Sequence, residues 1–117
     1  MSKMTLIDLL IRRKEKWKKY FKNPIHFAEI IKKTVLKHDK NAKVILFGSV
    51  VKGVIRPDSD IDVLIVTDLA QDTVKRIKLK TEVMKILGDD TPFEVHIVTA
   101  DEYENWFRKF LDRYVEI

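Results

Sequence analysis

At 117 residues the chain is long enough for one hydrophobic core and too short for that core plus an appended substrate domain. Its 45% hydrophobic and 35% charged residues fit a globular protein, and no apolar run approaches the roughly 18 residues that span a membrane. Cysteine is absent, which excludes a disulfide frame and a thiolate metal site, while the formal charge of +5 reads either as attraction for a polyanion or as lysine on solvated helix faces.

The N-terminal stretch MSKMTLIDLLIRRKEKW mixes apolar and charged residues and lacks the unbroken apolar core of a signal peptide, so a cytoplasmic protein is expected. Leu6, Leu9, Leu10, Trp17 and Phe21 make an apolar stripe with Arg12, Lys14, Glu15 and Lys18 between them, which predicts a helix. That stripe reads as core, with a dimer or partner surface as its second reading. Asn23-Pro24 is a cap followed by proline in a first turn, opening a second helix with Phe27, Ala28, Ile31 and Val35 inward. Lys43 to Phe47 is a strand bounded by Gly48, with a brief helical turn following through Lys52-Gly53. A buried strand over Ile61 to Val66 places Asp60, Asp62 and Leu64 on one side and Ile61, Val63 and Ile65 on the other.

Asp72 to Leu87 predicts a third helix with Val74, Ile77, Val83, Met84 and Leu87 on one face, stopped by Gly88 and kept from resuming by Pro92. Phe93 to Val98 is a third strand. Thr99 to Glu102 has the spacing of a capping box and starts a last helix with Tyr103, Trp106, Phe107, Phe110 and Tyr114 in a stripe. The stripe reads as core or a protein contact before it reads as a platform for stacking a base. No repeat or internal boundary interrupts the chain. It is therefore expected to be one domain over 1–117, with N-terminal helices in 4–39, a core in 43–99 and a C-terminal helix in 100–114. The fold class is α/β or α+β, a sheet of three or more strands flanked by helices.

The stretch LFGSVVKGVIRPDSDIDVLIV, Leu46 to Val66, carries the chemistry. Asp60 and Asp62, two apart at a strand start, point to one face of a sheet. Carboxylates held side by side repel one another unless a cation lies between them, and oxygen ligands of this kind suit Mg²⁺. Gly48 lets backbone approach a ligand, and Ser49 adds a hydroxyl for a phosphate oxygen. Alone, an Asp-x-Asp pair at a strand start is more often a solvated edge. The Gly-Ser turn ten residues upstream is what favours a site.

Gly48-Ser49, ten residues, then Asp60-Ile61-Asp62 resembles the signature of the DNA polymerase β-like nucleotidyltransferase superfamily, and Pro57 to Asp62 is similar to its minimal nucleotidyltransferases. The resemblance covers Val44 to Thr99 and implies a mixed sheet flanked by helices. It also implies three carboxylates holding two divalent ions, Mg²⁺ or Mn²⁺, and attack of an acceptor hydroxyl on the α-phosphate of ATP or another nucleoside triphosphate. Asp60 and Asp62 match the first two carboxylates. Glu94, the acidic residue of the third strand, stands where the family usually has aspartate, and could ligate an ion, act as general base, or be an exposed strand residue. His96 shares its face by alternation and reads first as a bystander. Relatives place arginine directly after the Gly-Ser pair, where this chain has Val50. Lys52 and Arg56 are the remaining candidates for the phosphates, with solvated side chains equally consistent, and Asp58 reads as a turn residue.

The resemblance implies transfer of a nucleoside monophosphate, AMP above all, to an acceptor hydroxyl. It further suggests a HEPN-domain partner protein that this chain would modify as a toxin–antitoxin antitoxin. The alternatives are a non-catalytic module that binds nucleotide or masks a partner, and a nucleic-acid binder. The last is disfavoured because no recognition helix or RNA motif accompanies the positive charge.

Overall fold

Thr5 and Asp8 start the first helix by exchanging bonds. The Thr5 hydroxyl accepts from the Asp8 amide at 3.1 Å, and the Asp8 carboxylate accepts from the Thr5 amide at 3.0 Å. The computed structural model describes residues 4–53 and 60–117. It places helix α1 at Leu6–Lys22 and α2 at Pro24–Leu36, with Pro24 in the first turn as its missing N–H allows. Strand β1, Lys43–Phe47, leads into the short helix α3, Ser49–Lys52. Strand β2 is Ile61–Val66, and a 3₁₀ turn at Asp68–Gln71 precedes α4, Thr73–Leu87. Strand β3 is Phe93–Val98.

The sheet runs in the order β3-β2-β1-β4, where β4 is Tyr114–Glu116. Strand β1 is antiparallel to both β2 and β4, whereas β2 and β3 are parallel, joined by the α4 crossover. The mixed, helix-flanked sheet expected from the sequence is therefore present. On one face Val44, Leu46, Val63, Ile65, Val95 and Ile97 form the main core with residues of α2 and α4. On the other, Ile45, Leu64, Val66 and Val98 are covered by Phe47, Tyr103, Phe107 and Leu111. No helix among the described residues is long and apolar enough to cross a membrane.

Three expectations are corrected. The last helix does not reach 114: it ends at Phe110, and Tyr114 starts β4 opposite Phe47. Its middle, Tyr103–Phe107, is a π-helical turn, which slips the helical phase and breaks the continuous stripe expected of Trp106, Phe110 and Tyr114. In α4 the buried row is Leu79, Val83 and Leu87, at i, i+4 and i+8, while Val74 and Ile77 are exposed. In α1 only Tyr20 is fully buried, with Trp17 and Phe21 packed against the core, and Leu6, Leu9 and Leu10 are exposed. The first half of that stripe is surface.

Two buried polar contacts fix the layers. The Tyr20 hydroxyl donates to the Leu87 carbonyl at 2.5 Å, and its ring stands edge-on to Phe93, locking α1 and α4 over β3. The buried Thr67 hydroxyl donates to Asp39 at 2.7 Å, tying the α2–β1 turn to the end of β2. The Thr67 hydroxyl holds the Asp39 carboxyl below its ordinary value, against the opposing effect of burial. A depressed carboxylate stabilises fully above its unfolded value and ceases to do so as pH falls through its folded one. Thr67→Val is expected to cost about 1–2 kcal/mol in urea unfolding at neutral pH, and the deficit should shrink below pH 3.8 as Asp39 protonates.

Candidate active site

Gly48 ends β1 directly beside Asp62. Its φ of +85° is a conformation that L side chains rarely adopt, and a β-carbon there would lie 2.3 Å from Asp62 Oδ2. Only a residue without a side chain fits. The Gly48 carbonyl accepts from the Val51 amide at 3.2 Å and the Lys52 amide at 3.3 Å, turning the chain into α3. Ser49 is the first residue of that helix. Val50 and Val51 pack against the main core, so the position directly after the Gly-Ser pair is given to packing here. Lys52 Nζ lies 3.5 Å from Asp112 Oδ2, an exposed pair weak enough to be exchanged for a phosphate. Arg56 and Asp58 lie outside the described residues.

The parallel register of β2 and β3 pairs Asp62 with Glu94 and Leu64 with His96. Strand alternation then sets Asp62, Glu94 and His96 on one face, with one ligand atom from each within 4.8 Å of the others. His96 Nε2 stands 3.7 Å from Asp62 Oδ1 and 3.7 Å from Glu94 Oε1. Its ring lies near Phe47 and Phe107, at centroid separations of 6.0 and 6.3 Å, which orient the imidazole from the apolar side.

Asp62 is 24% exposed and Glu94 is 54% exposed. Burial pushes the Asp62 carboxyl above its ordinary value. The Glu94 charge adds to the rise, and His96 opposes it. A partly buried carboxylate beside a second carboxylate and an imidazole is a donor set for a divalent cation. The oxygens suit Mg²⁺ or Mn²⁺, and the nitrogen favours the softer of the two.

Asp60 stands apart from this group. Pairing of β2 with β3 begins at Ile61, whose amide donates to the Pro92 carbonyl at 2.9 Å, so no ladder fixes Asp60 on the face of Asp62. It is exposed, its charge raises the Asp62 value slightly, and it lines a groove with Ile7, Leu10 and Trp17 of α1. Of the three carboxylates expected from the sequence, the structure gathers Asp62 and Glu94 and adds His96. Strand parity had placed His96 on the right face. The register that sets it beside Asp62 is a tertiary fact.

A carboxyl raised by folding keeps its proton longer in the native state, so stability falls as pH rises from 3.8 to the raised folded value, and the penalty is complete at neutral pH. Without divalent ions, Asp62→Asn should therefore melt above the parent protein at pH 7, with the difference vanishing below pH 3.8. Gly48→Ala should lower stability by about 1–3 kcal/mol through backbone strain, and divalent-ion titrations should weaken as Asp62 is displaced.

Comparison with known proteins agrees with this fold. The nucleotidyltransferase domain family matches residues 28–113. A crystal structure assigned as a nucleotidyltransferase is 33% identical, covering 76% of this chain and 95% of its own, with a TM-score of 0.65. A second, from Sulfolobus solfataricus and likewise assigned, is 18% identical over 92% of this chain and 84% of its own, with a TM-score of 0.53, and bears on the fold alone. No curated protein matches the chain. The turn, the paired strands and the span of these matches place the chain in the nucleotidyltransferase domain family of the polymerase β-like superfamily.

Proposed function

We propose that the protein is a metal-dependent nucleotidyltransferase that moves a nucleoside monophosphate, AMP from ATP, to an acceptor hydroxyl on a partner protein. The observation that carries this reading is the Asp62–Glu94–His96 group held by strand register beside the glycine turn. Asp62 and Glu94 would hold the divalent ion with His96, and Asp60 would join them on the nucleotide side. A bound divalent ion supplies charge stabilisation at the attacking and leaving oxygens of an in-line displacement. Glu94, the more exposed carboxylate, would take the acceptor proton. Gly48 leaves backbone accessible next to the carboxylates, while Ser49 and Lys52 are the polar groups at hand for phosphate. Through its likeness to minimal nucleotidyltransferases, a HEPN-type toxin is the acceptor to test first, with this chain as the antitoxin.

A second reading is a non-catalytic module that binds nucleotide or masks a partner. Two observations favour it: Val50 is spent on packing, and Asp60 lies outside the ligand group. Incubation with α-labelled ATP, Mg²⁺ or Mn²⁺ and the candidate partner separates the two. The transferase predicts labelled partner, with Asp62→Asn and Glu94→Gln each lowering the rate by about 10²-fold or more. His96→Asn should weaken Mn²⁺ binding by about 10–100-fold if it acts on the ion, measured by titration without nucleotide. Bound nucleotide with no label transferred to any partner would establish the module instead.

A further inference from the structure

Helix α1 does two different things along its length. Its C-terminal half is docked: Tyr20 is buried, and Trp17 Nε1 and Arg13 Nε donate to Asp90 at 3.1 and 3.3 Å. Its N-terminal half is an arm. Leu6 is 72% exposed and Ile7 68%, with Leu9, Leu10 and Ile11 more than half exposed. The molecule is 52 Å long with a radius of gyration of 15.6 Å, whereas a compact chain of this length has roughly 13 Å. The Thr5–Asp8 capping box keeps the arm helical without tertiary cover. The arm also lies outside residues 28–113, the span matched by the family.

The charge on this helix is distinctive. Seven lysines and arginines lie in α1 against Asp8 and Glu15, a surplus of five that equals the formal net charge of the whole chain. The remainder is balanced. Arg12 and Lys16 line one apolar groove of the arm with Leu6 and Leu9. A second groove, formed by Ile7, Leu10, Ile11 and Trp17, reaches Asp60.

These facts select the occupant. A second copy of the chain offers no acidic surplus, and two arms meeting would bring like charges together. A bilayer would receive only two helical turns of apolar surface, because the rest of the stripe is already docked. Nucleic acid would leave the leucines and isoleucines bare. An apolar helical segment of a protein, bordered by carboxylates, satisfies both the grooves and the charge.

We propose that the free half of α1 is a docking arm for such an acidic amphipathic helix, and that docking brings a hydroxyl of the partner to the site. The second clause rests on the transferase reading; the first does not. The probe is a fluorescein-labelled synthetic helical peptide with leucines at i, i+3 and i+4 spacing, glutamates flanking them and one tyrosine. Binding is followed by anisotropy and transfer by α-labelled ATP.

The parent protein and Asp62→Asn should bind this peptide alike. The double variants Leu6→Ser/Leu10→Ser and Arg12→Glu/Lys16→Glu should bind it at least about tenfold more weakly, with unchanged circular dichroism because these side chains are exposed. A lysine-for-glutamate version of the peptide should not bind. Equal affinity for parent and arm variants overturns the docking arm. So does arm-dependent binding of phosphatidylserine vesicles or duplex DNA in its place, or self-association in sedimentation that Leu6→Ser/Leu10→Ser abolishes. Arm-dependent binding with no labelling of the tyrosine leaves the docking arm standing and overturns delivery of the bound helix's hydroxyl to the site. Labelling at equal rates by parent and arm variants removes the arm from substrate recognition.

Discussion

A carboxylate oxygen of Asp62 occupies the space in which any side chain at residue 48 would begin. The rest of the site depends on that contact. It requires glycine at the end of β1, and the left-handed turn that glycine permits sends the chain into α3 with Ser49 first. The antiparallel pairing of Phe47 with Asp62 holds the turn and the carboxylate at the same level of the sheet. The turn into α3 thereby lies directly beside a partly buried carboxylate.

The two faces of the sheet divide the labour. The face toward α2 and α4 is filled by branched aliphatic residues and makes the main core. The opposite face is apolar at Ile45, Leu64, Val66 and Val98 and polar at the end carrying Asp62, Glu94 and His96. Phe47 and Phe107 mark the boundary and flank the imidazole. The π-helical turn that carries Phe107 also changes where the chain goes next, allowing Tyr114 to Glu116 to return as the edge strand beside β1. Arg76 of α4 ties this segment down, donating to the Ala70 carbonyl and to Glu102. The cover of the face carrying Asp62, Glu94 and His96 is thus anchored from the opposite layer.

Helix α1 shows how one amphipathic stripe can serve two solvents. Its aromatic half joins the fold through Trp17, Tyr20 and Phe21, and its aliphatic half remains outside with the surplus charge of the chain. A groove lined by Ile7, Leu10, Ile11 and Trp17 runs along the arm and reaches Asp60.

Much of this was legible in the residues themselves. Period-two alternation gave β1, β2 and β3, Pro24 and Gly88 punctuated the helices, and the Gly48–Ser49 turn at its distance from Asp60 and Asp62 pointed to the family. These are local properties, set by backbone preference and by which side chains share a face. What lay beyond reach was decided between distant segments. Parallel register put His96 beside Asp62, and the start of the ladder at Ile61 left Asp60 outside the group. The last helix ended at Phe110, and pairing with Phe47 put Tyr114 in a strand. The same apolar spacing was buried at Trp17 and Phe21 and exposed at Leu6 and Leu10, because periodicity defines a face but not what covers it. The sequence by itself determined the elements and the residue types of the site; the tertiary structure decided which of those residues meet, since contacts between strands and helices far apart in the chain are set by register and packing.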